Sequence, residues 1–243
     1  MQSENTQPLI AARNLTRIYS LGDSEVAGIN HLNFEIAPGE LVVLKGESGS
    51  GKSTLLSLLA GLDRPTSGEL TVADHNLTSA STTDLTHFRR EVVGMVFQSF
   101  NLMPTLNVLE NVCLPGLLAG KSFHDIKSRA MDFIDWLGLN TRLSHLPAQL
   151  SGGEMQRTAI ARALVNEPAI ILADEPTGNL DSRNGQIVIE LMAELNLKWK
   201  RTVVIATQSN LADSLATTVI NLKDGVITDE AGSRNAELGK QGT

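Results

Sequence analysis

The feature that most constrains the fold is a glycine-rich loop at residues 46–53, which reads GESGSGKS. It matches the pattern G-x-x-x-x-G-K-[ST], follows the apolar run 41–44 and leads into the apolar helical segment 54–60. A loop between a strand and a helix can turn its backbone N–H groups towards a polyphosphate. The sequence therefore predicts a nucleotide site on a parallel α/β core, and residues 46–53 are called the phosphate loop below.

Each residue type in the phosphate loop has a chemical role. The glycines let the backbone turn inward, and the helix N-terminus adds a partial positive charge of about half a unit. Lys52 is expected to reach the β- and γ-phosphates, and the Ser53 hydroxyl is expected to bind Mg²⁺. The predicted nucleotide contacts of this segment are Gly46, Ser48, Gly49, Ser50, Gly51, Lys52, Ser53 and Thr54.

Two adjacent carboxylates, Asp174 and Glu175, follow the apolar run 170–173. A carboxylate at the C-terminal end of a parallel strand lies at the ligand-binding edge of the sheet. Asp174 is expected to hold Mg²⁺, and Glu175 is expected to polarise the water that attacks the γ-phosphorus. The alternative is that both residues only cap the turn 176–178, and the phosphate loop elsewhere in the chain weighs against it.

A second glycine-rich segment begins at Ser151, where Gly152, Gly153 and Glu154 follow. Ser151 and Glu154 have the spacing of a capping box, which predicts a helix N-terminus with exposed backbone N–H groups. One interpretation is a well-capped helix and nothing more. The other is a second phosphate contact, and a dimer that holds two nucleotides between its subunits would then use both segments.

Composition and charge narrow the class of protein. The 243 residues are 42% apolar, carry a net charge of −7 and include one cysteine, Cys113. We expect a cytosolic protein without a disulfide, a signal peptide or a membrane-spanning helix. The acidic balance indicates that nucleic acid is not a partner.

Hydrophobic patterning predicts the organisation of the chain. Residues 1–230 are expected to form a single domain, and residues 231–243 a flexible tail. The segment from Asp84 to His145 is predicted to be helical, and a short helix is predicted after the strand 203–206.

The order of these motifs identifies a family. The segments LSGGEMQ (150–156) and ILADE (171–175) resemble the signature and Walker B segments of the ATPase subunits of ABC transporters, and the resemblance runs from Leu9 to Asp229. It implies a P-loop α/β core with an N-terminal antiparallel β subdomain and an inserted helical subdomain at about 100–165. It also implies ATP and Mg²⁺ as ligands and a homodimer that encloses ATP.

The resemblance implies further site residues. Tyr19 resembles the aromatic residue that stacks on adenine, and Gln98 the glutamine that contacts Mg²⁺ and the attacking water. Asp181 resembles the D-loop aspartate that couples the two sites. Ser151 and Gly153 would clasp the γ-phosphate bound to the other subunit, and segment 102–106 would line the groove for a membrane partner.

Several stretches, among them FQSFNLMPTLNVLENV and DEPTGNLD, are similar to the MacB-like and lipoprotein-release ATPases. That similarity implies an integral membrane permease of the FtsX/MacB type as the partner. It places the chain on the cytoplasmic face of the inner membrane, where it would drive export, extraction or mechanotransmission.

One position departs from the family pattern. Most relatives have a histidine after the strand that follows Walker B, and this chain has Gln208 there. A glutamine amide can donate a hydrogen bond to the γ-phosphate, but it cannot become cationic or relay a proton. We therefore expect slower hydrolysis rather than none. Whether Gln208 is a natural or an engineered residue stays open from the sequence.

Three other functions are alternatives to a transport ATPase. ATPases of DNA maintenance carry the same signature, but they usually insert coiled coils or zinc modules, and this chain has neither. Translation factors of this type fuse two such cassettes. An ATP-gated clamp with little turnover is favoured by Gln208 and opposed by Glu175.

Overall fold

The computed structural model describes residues 7–22 and 24–231. The strands in this part of the chain are β1 (Ile10–Leu21), β2 (Ser24–Ile36), β3 (Leu41–Lys45), β4 (Ser67–Val72), β5 (His75–Asn76), β6 (Val93–Phe97), β7 (Ile170–Asp174), β8 (Thr202–Thr207), β9 (Thr218–Lys223) and β10 (Val226–Ala231). The helices are α1 (Lys52–Leu59), α2 (Thr82–Glu91), α3 (Val108–Leu118), α4 (Phe123–Trp136), α5 (Gly152–Leu164) and α6 (Ser182–Trp199).

The strands form two sheets. The larger has six strands in the order β10-β9-β3-β8-β7-β6, and all except the edge strand β10 run parallel. The smaller is antiparallel, with four strands in the order β2-β1-β4-β5. This arrangement confirms the predicted fold class, a P-loop α/β core with an N-terminal antiparallel β region.

Apolar layers cover both faces of the larger sheet, and alternate residues of β3 divide between them. Leu41 and Val43 pack in the layer that α3, α4, α5 and α6 cover. Val42 and Leu44 pack in the layer formed with α1, α2 and the antiparallel sheet. Strands covered on both faces have continuous apolar sequences, which explains why the runs 41–44 and 170–173 were recognisable as strands.

The prediction of a helical segment from Asp84 to His145 is wrong at residues 93–97, which form β6. This strand pairs in parallel with β7, and its Val96 is fully buried. Five residues are too few for a periodicity signal when helices flank them on both sides. Tertiary pairing therefore decides the conformation here.

The short helix predicted after the strand 203–206 is also wrong, since only turns connect β8 to β9. Side-chain oxygens accept hydrogen bonds from backbone N–H groups that a helix would need. Ser209 N–H donates to Thr207 Oγ1 at 3.0 Å, and Leu211 N–H donates to Ser209 Oγ at 3.2 Å. Such local bonds compete with helix formation.

Three α-helices, α3, α4 and α5, lie within the segment 100–165, where a helical subdomain was predicted. Of the predicted tail, Ala231 ends β10, and residues 232–243 lie outside the described residues. Within the described part of the chain, no helix is both long and apolar enough to cross a membrane.

Candidate active site

The phosphate loop connects the end of β3 to α1, as predicted. Gly46, Gly49 and Gly51 have φ values of 155°, 81° and 104°, which other residues rarely adopt. At Gly51 a side chain would also collide with the carbonyl of Gly28. Backbone conformation therefore favours glycine at all three positions, and space also requires it at Gly51. The first backbone N–H groups of α1 have no partner within the helix and can bind an anion.

Lys52 lies inside this loop and is 6% exposed. Its ammonium group donates to the carbonyl oxygens of Gly46 and Glu47 at 2.7 and 2.9 Å. The same nitrogen lies 4.0 Å from Glu175 Oε1. The structure thus places a buried positive charge between the phosphate loop and the carboxylates at the end of β7.

Ser53 and Asp174 meet across the sheet edge, where Ser53 Oγ donates to Asp174 Oδ1 at 3.1 Å. Burial raises the pKa of Asp174, and the neighbouring charge of Glu175 raises it further, while the bond from Ser53 opposes both effects. A hydroxyl and a carboxylate fit Mg²⁺, which usually takes one or two protein carboxylates and completes its shell with phosphate oxygens and water. Among the described residues, no group of three or more His, Cys, Asp and Glu side chains could hold a metal ion.

Glu175 has an unusual backbone conformation and, within the described part of the chain, an oxygen atom without a hydrogen bond. Its φ is 44°, an uncommon value for a residue with a side chain, and its N–H donates to Ala206 O at 2.8 Å. Its Oε2 accepts a hydrogen bond of 3.3 Å from the Gln208 N–H. Its Oε1 is buried and has no hydrogen-bond partner among the described residues. A strained residue with an unpaired buried oxygen is a candidate general base.

The remaining two predicted residues near this edge lie on loops. Gln208 directly follows β8, and its side chain is exposed. Gln98 follows β6 and lies against Gly178, where a Cβ would come within 2.6 Å of Gln98 Nε2. Within the described part of the chain, the Gln98 side chain makes no hydrogen bond to Ser53 or Asp174.

The second glycine-rich segment forms the N-terminus of α5, and its predicted capping box is present. Ser151 N–H donates to Glu154 Oε2 at 2.8 Å, and Glu154 N–H donates to Ser151 Oγ at 3.3 Å. Arg142 adds an ion pair with Glu154 at 2.8 Å. The Ser151 N–H and the Arg142 guanidinium lower the pKa of Glu154 to about 2, so this carboxylate is charged at neutral pH.

Asp181 caps α6, and Asn184 donates to it from both its backbone, at 2.9 Å, and its side chain, at 2.6 Å. These bonds lower the pKa of Asp181. The Asn184 side chain packs so closely on Gly153 that a Cβ there would collide with Asn184 Oδ1. A Cβ at Gly152 would lie 3.3 Å from Leu180 Cδ2. The structure therefore brings Asp181 together with the 151–154 segment. None of the hydrogen bonds between described residues joins that segment to the phosphate loop.

Tyr19 lies on β1, and two residues that sequence reasoning missed hold it there. The Tyr19 hydroxyl donates to Asp63 Oδ2 at 3.0 Å, and the Arg17 guanidinium lies 4.5 Å from the centre of its ring. Arg17 also forms an ion pair of 2.8 Å with Asp63. Asp63 lies 44 positions beyond Tyr19, so no local spacing could have pointed to it.

Fold and site together define a P-loop nucleoside triphosphatase.

Comparisons with known proteins identify the family within this class. The family model described as "ABC transporter" matches residues 29–178. The lipoprotein-releasing system ATP-binding protein LolD of Idiomarina loihiensis is 42% identical over 93% of this chain and 100% of its own length. The macrolide export ATP-binding/permease protein MacB of Hyphomonas neptunium is 41% identical over 95% of this chain, which spans 36% of that longer protein.

A solved structure of an ATP-binding cassette is also similar to this chain. The dimeric ATP-binding cassette MJ0796, in a post-hydrolysis state bound to ADP and Pi, is 39% identical with a TM-score of 0.85. The match covers 92% of this chain and 98% of that one. The chain therefore belongs to the ABC transporter family, as an ATP-binding ATPase of the MacB and LolD type. This membership confirms the family and the activity that the sequence indicated.

Proposed function

We propose that two copies of this chain close around two ATP molecules and that hydrolysis reopens them, which drives a conformational change in a membrane partner. The observation that carries the proposal is the position of Glu175. One of its oxygens is buried and unpaired, and it lies beside Lys52 and next to the Ser53–Asp174 pair. A carboxylate oxygen that accepts no hydrogen bond in such a place can accept a proton from an attacking water.

The other groups bind and orient the nucleotide. Lys52 exchanges its bonds to the carbonyls of Gly46 and Glu47 for phosphate oxygens. Ser53 and Asp174 would hold Mg²⁺, which supplies positive charge to the β- and γ-phosphates when bound. Tyr19 stacks on the base, and Gln98 and Gln208 approach the γ-phosphate from their loops.

The N-terminus of α5 completes the site of the other copy. Ser151 and Gly153 offer a hydroxyl and a backbone N–H at a helix N-terminus, where a phosphate is favoured. The dimer of the related cassette MJ0796 supports this arrangement, since it is described with ADP and Pi. Asp181 touches the same segment through Asn184 and is suited to couple the two sites.

Steady-state ATP hydrolysis tests the proposal. Glu175→Gln removes the general base and should lower kcat by on the order of 10²-fold. Gln208→His restores a donor that can carry charge and should raise kcat roughly tenfold. Glu69→Gln, an exposed change on β4, is the matched control and should leave kcat unaltered. Undiminished hydrolysis by Glu175→Gln would contradict the mechanism, and absence of turnover in the unmodified chain would favour the ATP-gated clamp.

The membrane partner is proposed to dock in a cleft of about 450 Å³ between α2, α3, α5 and β6. The cleft is apolar around Leu62 and Leu118, which are 54% and 63% exposed, and its rim carries Arg89, Arg90 and Arg162. This composition suits a cytoplasmic segment with apolar and acidic side chains, and it supports a location on the cytoplasmic face of the membrane. Residues 102–106 do not line this cleft, and their expected contact with a membrane partner stays a separate prediction.

Co-purification with a co-expressed permease of the FtsX/MacB type tests the docking site. Leu118→Glu places a charge in the apolar part of the cleft and should reduce recovery of the permease at least tenfold. Leu197→Glu, a change at an equally exposed leucine of α6 outside the cleft, should retain full recovery. The reverse pattern would contradict the proposed docking site.

A further inference from the structure

Lys45 is the last residue of β3, directly before the phosphate loop. Among the described residues, its side chain forms hydrogen bonds to a loop that is distant in sequence, and none to the phosphate loop. The side chain is 14% exposed. Its ammonium group donates to Ser209 O and Asn210 Oδ1, each at 2.6 Å, and pairs with Asp213 Oδ1 at 3.0 Å. This single stretch of chain therefore receives two hydrogen bonds and one ion pair from the Lys45 ammonium group.

The stretch is the switch loop, defined here as residues 208–213. Lys45 pairs with Thr207 in the parallel sheet, so its side chain emerges directly beside the point where the loop begins. At that point the Gln208 N–H donates to Glu175 Oε2. Gln208 is therefore held on one side by the carboxylate of Glu175 and on the other by the contacts of Lys45 to the next residues.

We infer that Lys45 is a positioning residue, which holds the switch loop so that the Gln208 side chain meets the γ-phosphate in a fixed geometry. The inference rests on the proposed function, in which that side chain takes part in hydrolysis. Lys45 itself does not contact the reacting atoms in this account.

The chemistry of Gln208 explains why such an anchor is needed. A neutral amide has no charge to draw it towards a phosphate, so its contribution depends on being held in place before the reaction. Bonds from an ammonium group are charge-assisted and roughly twice as strong as neutral ones. Because Lys45 is mostly buried, solvent and salt screen these bonds only weakly.

Kinetics of Lys45→Met test the inference, because methionine keeps the apolar stem and removes the two hydrogen bonds and the ion pair. We expect kcat to fall about tenfold, with KM for ATP and the melting temperature changed little, since a loop displaced by a fraction of an ångström affects the transition state most. Lys223→Met, at the exposed end of the adjacent strand β9, is the matched control and should behave as the unmodified chain.

A double-mutant cycle separates positioning from a merely structural role. In a Gln208→Ala background, Lys45→Met should lower kcat by much less than tenfold, because the side chain that it positions is gone. Asp213→Asn breaks the same anchor at a half-exposed site and should also lower kcat, which covers the case in which Lys45→Met fails to fold.

The remaining outcomes distinguish a failure of the role of Lys45 from a failure of the proposed function. Unchanged kcat in Lys45→Met, or equal tenfold losses with and without the Gln208 side chain, would overturn the role of Lys45. Those results would leave the proposed function intact as long as Glu175→Gln lowers kcat by about 10²-fold. Undiminished hydrolysis by Glu175→Gln would instead remove the basis of both.

Discussion

At the scale of single residues, Tyr19 shows how neighbouring side chains hold the ring for which we propose stacking on a base. Arg17 covers part of the ring, and Asp63 binds both Arg17 and the Tyr19 hydroxyl. Burial acts to raise the pKa of Asp63, but hydrogen bonds from the Arg64 N–H, from Arg17 and from Tyr19 outweigh burial and lower it. The carboxylate is therefore charged at neutral pH and fixes the ring in one orientation.

This arrangement predicts a loss of affinity that depends on the base. Asp63→Ala frees the ring and should weaken ATP binding roughly three- to tenfold, a fraction of the ~1–3 kcal/mol that stacking on a base provides. Binding of inorganic tripolyphosphate, which has no base, should be unaffected. Titration calorimetry with both ligands measures the difference, and Glu69→Ala on the same sheet serves as the control. Equal losses for both ligands would show that Asp63 acts on the phosphate loop instead.

Residues within a motif could be predicted from the sequence, and residues that act across the fold could not. Ser53 and Asp174 were assigned because each belongs to a motif with a fixed role, although 121 positions separate them. Asp63 and Lys45 belong to no such motif. Their partners lie on other strands and loops, so only the three-dimensional structure reveals their contacts.

At the scale of elements, the patterns with a clear physical signal gave correct predictions. Strands β3 and β7 were recognisable as buried apolar runs, and α5 as a helix with a capping box. The failures concern short segments whose conformation depends on their surroundings. Strand β6 forms because β7 provides a partner, and the switch loop stays non-helical because Thr207 and Ser209 occupy its backbone donors.

At the scale of the whole molecule, the chain has two helix N-termini for which we propose phosphate binding, with a different purpose at each. The one at α1 continues the phosphate loop and adjoins Lys52, Asp174 and Glu175. The one at α5 contacts Asn184 and Leu180 near the start of α6. A composite site between two copies would use both, which is why the account depends on a dimer that forms only with ATP.

Light scattering on the Glu175→Gln variant, with and without ATP and Mg²⁺, tests this central claim most directly. The variant keeps Lys52 and the phosphate loop and should hydrolyse ATP about 10²-fold more slowly, so we expect its molar mass to double when ATP is added and to return when ATP is removed. Lys52→Ala, which lacks the phosphate-binding ammonium group, should remain monomeric under both conditions. A Glu175→Gln variant that binds ATP and still stays monomeric would contradict the account.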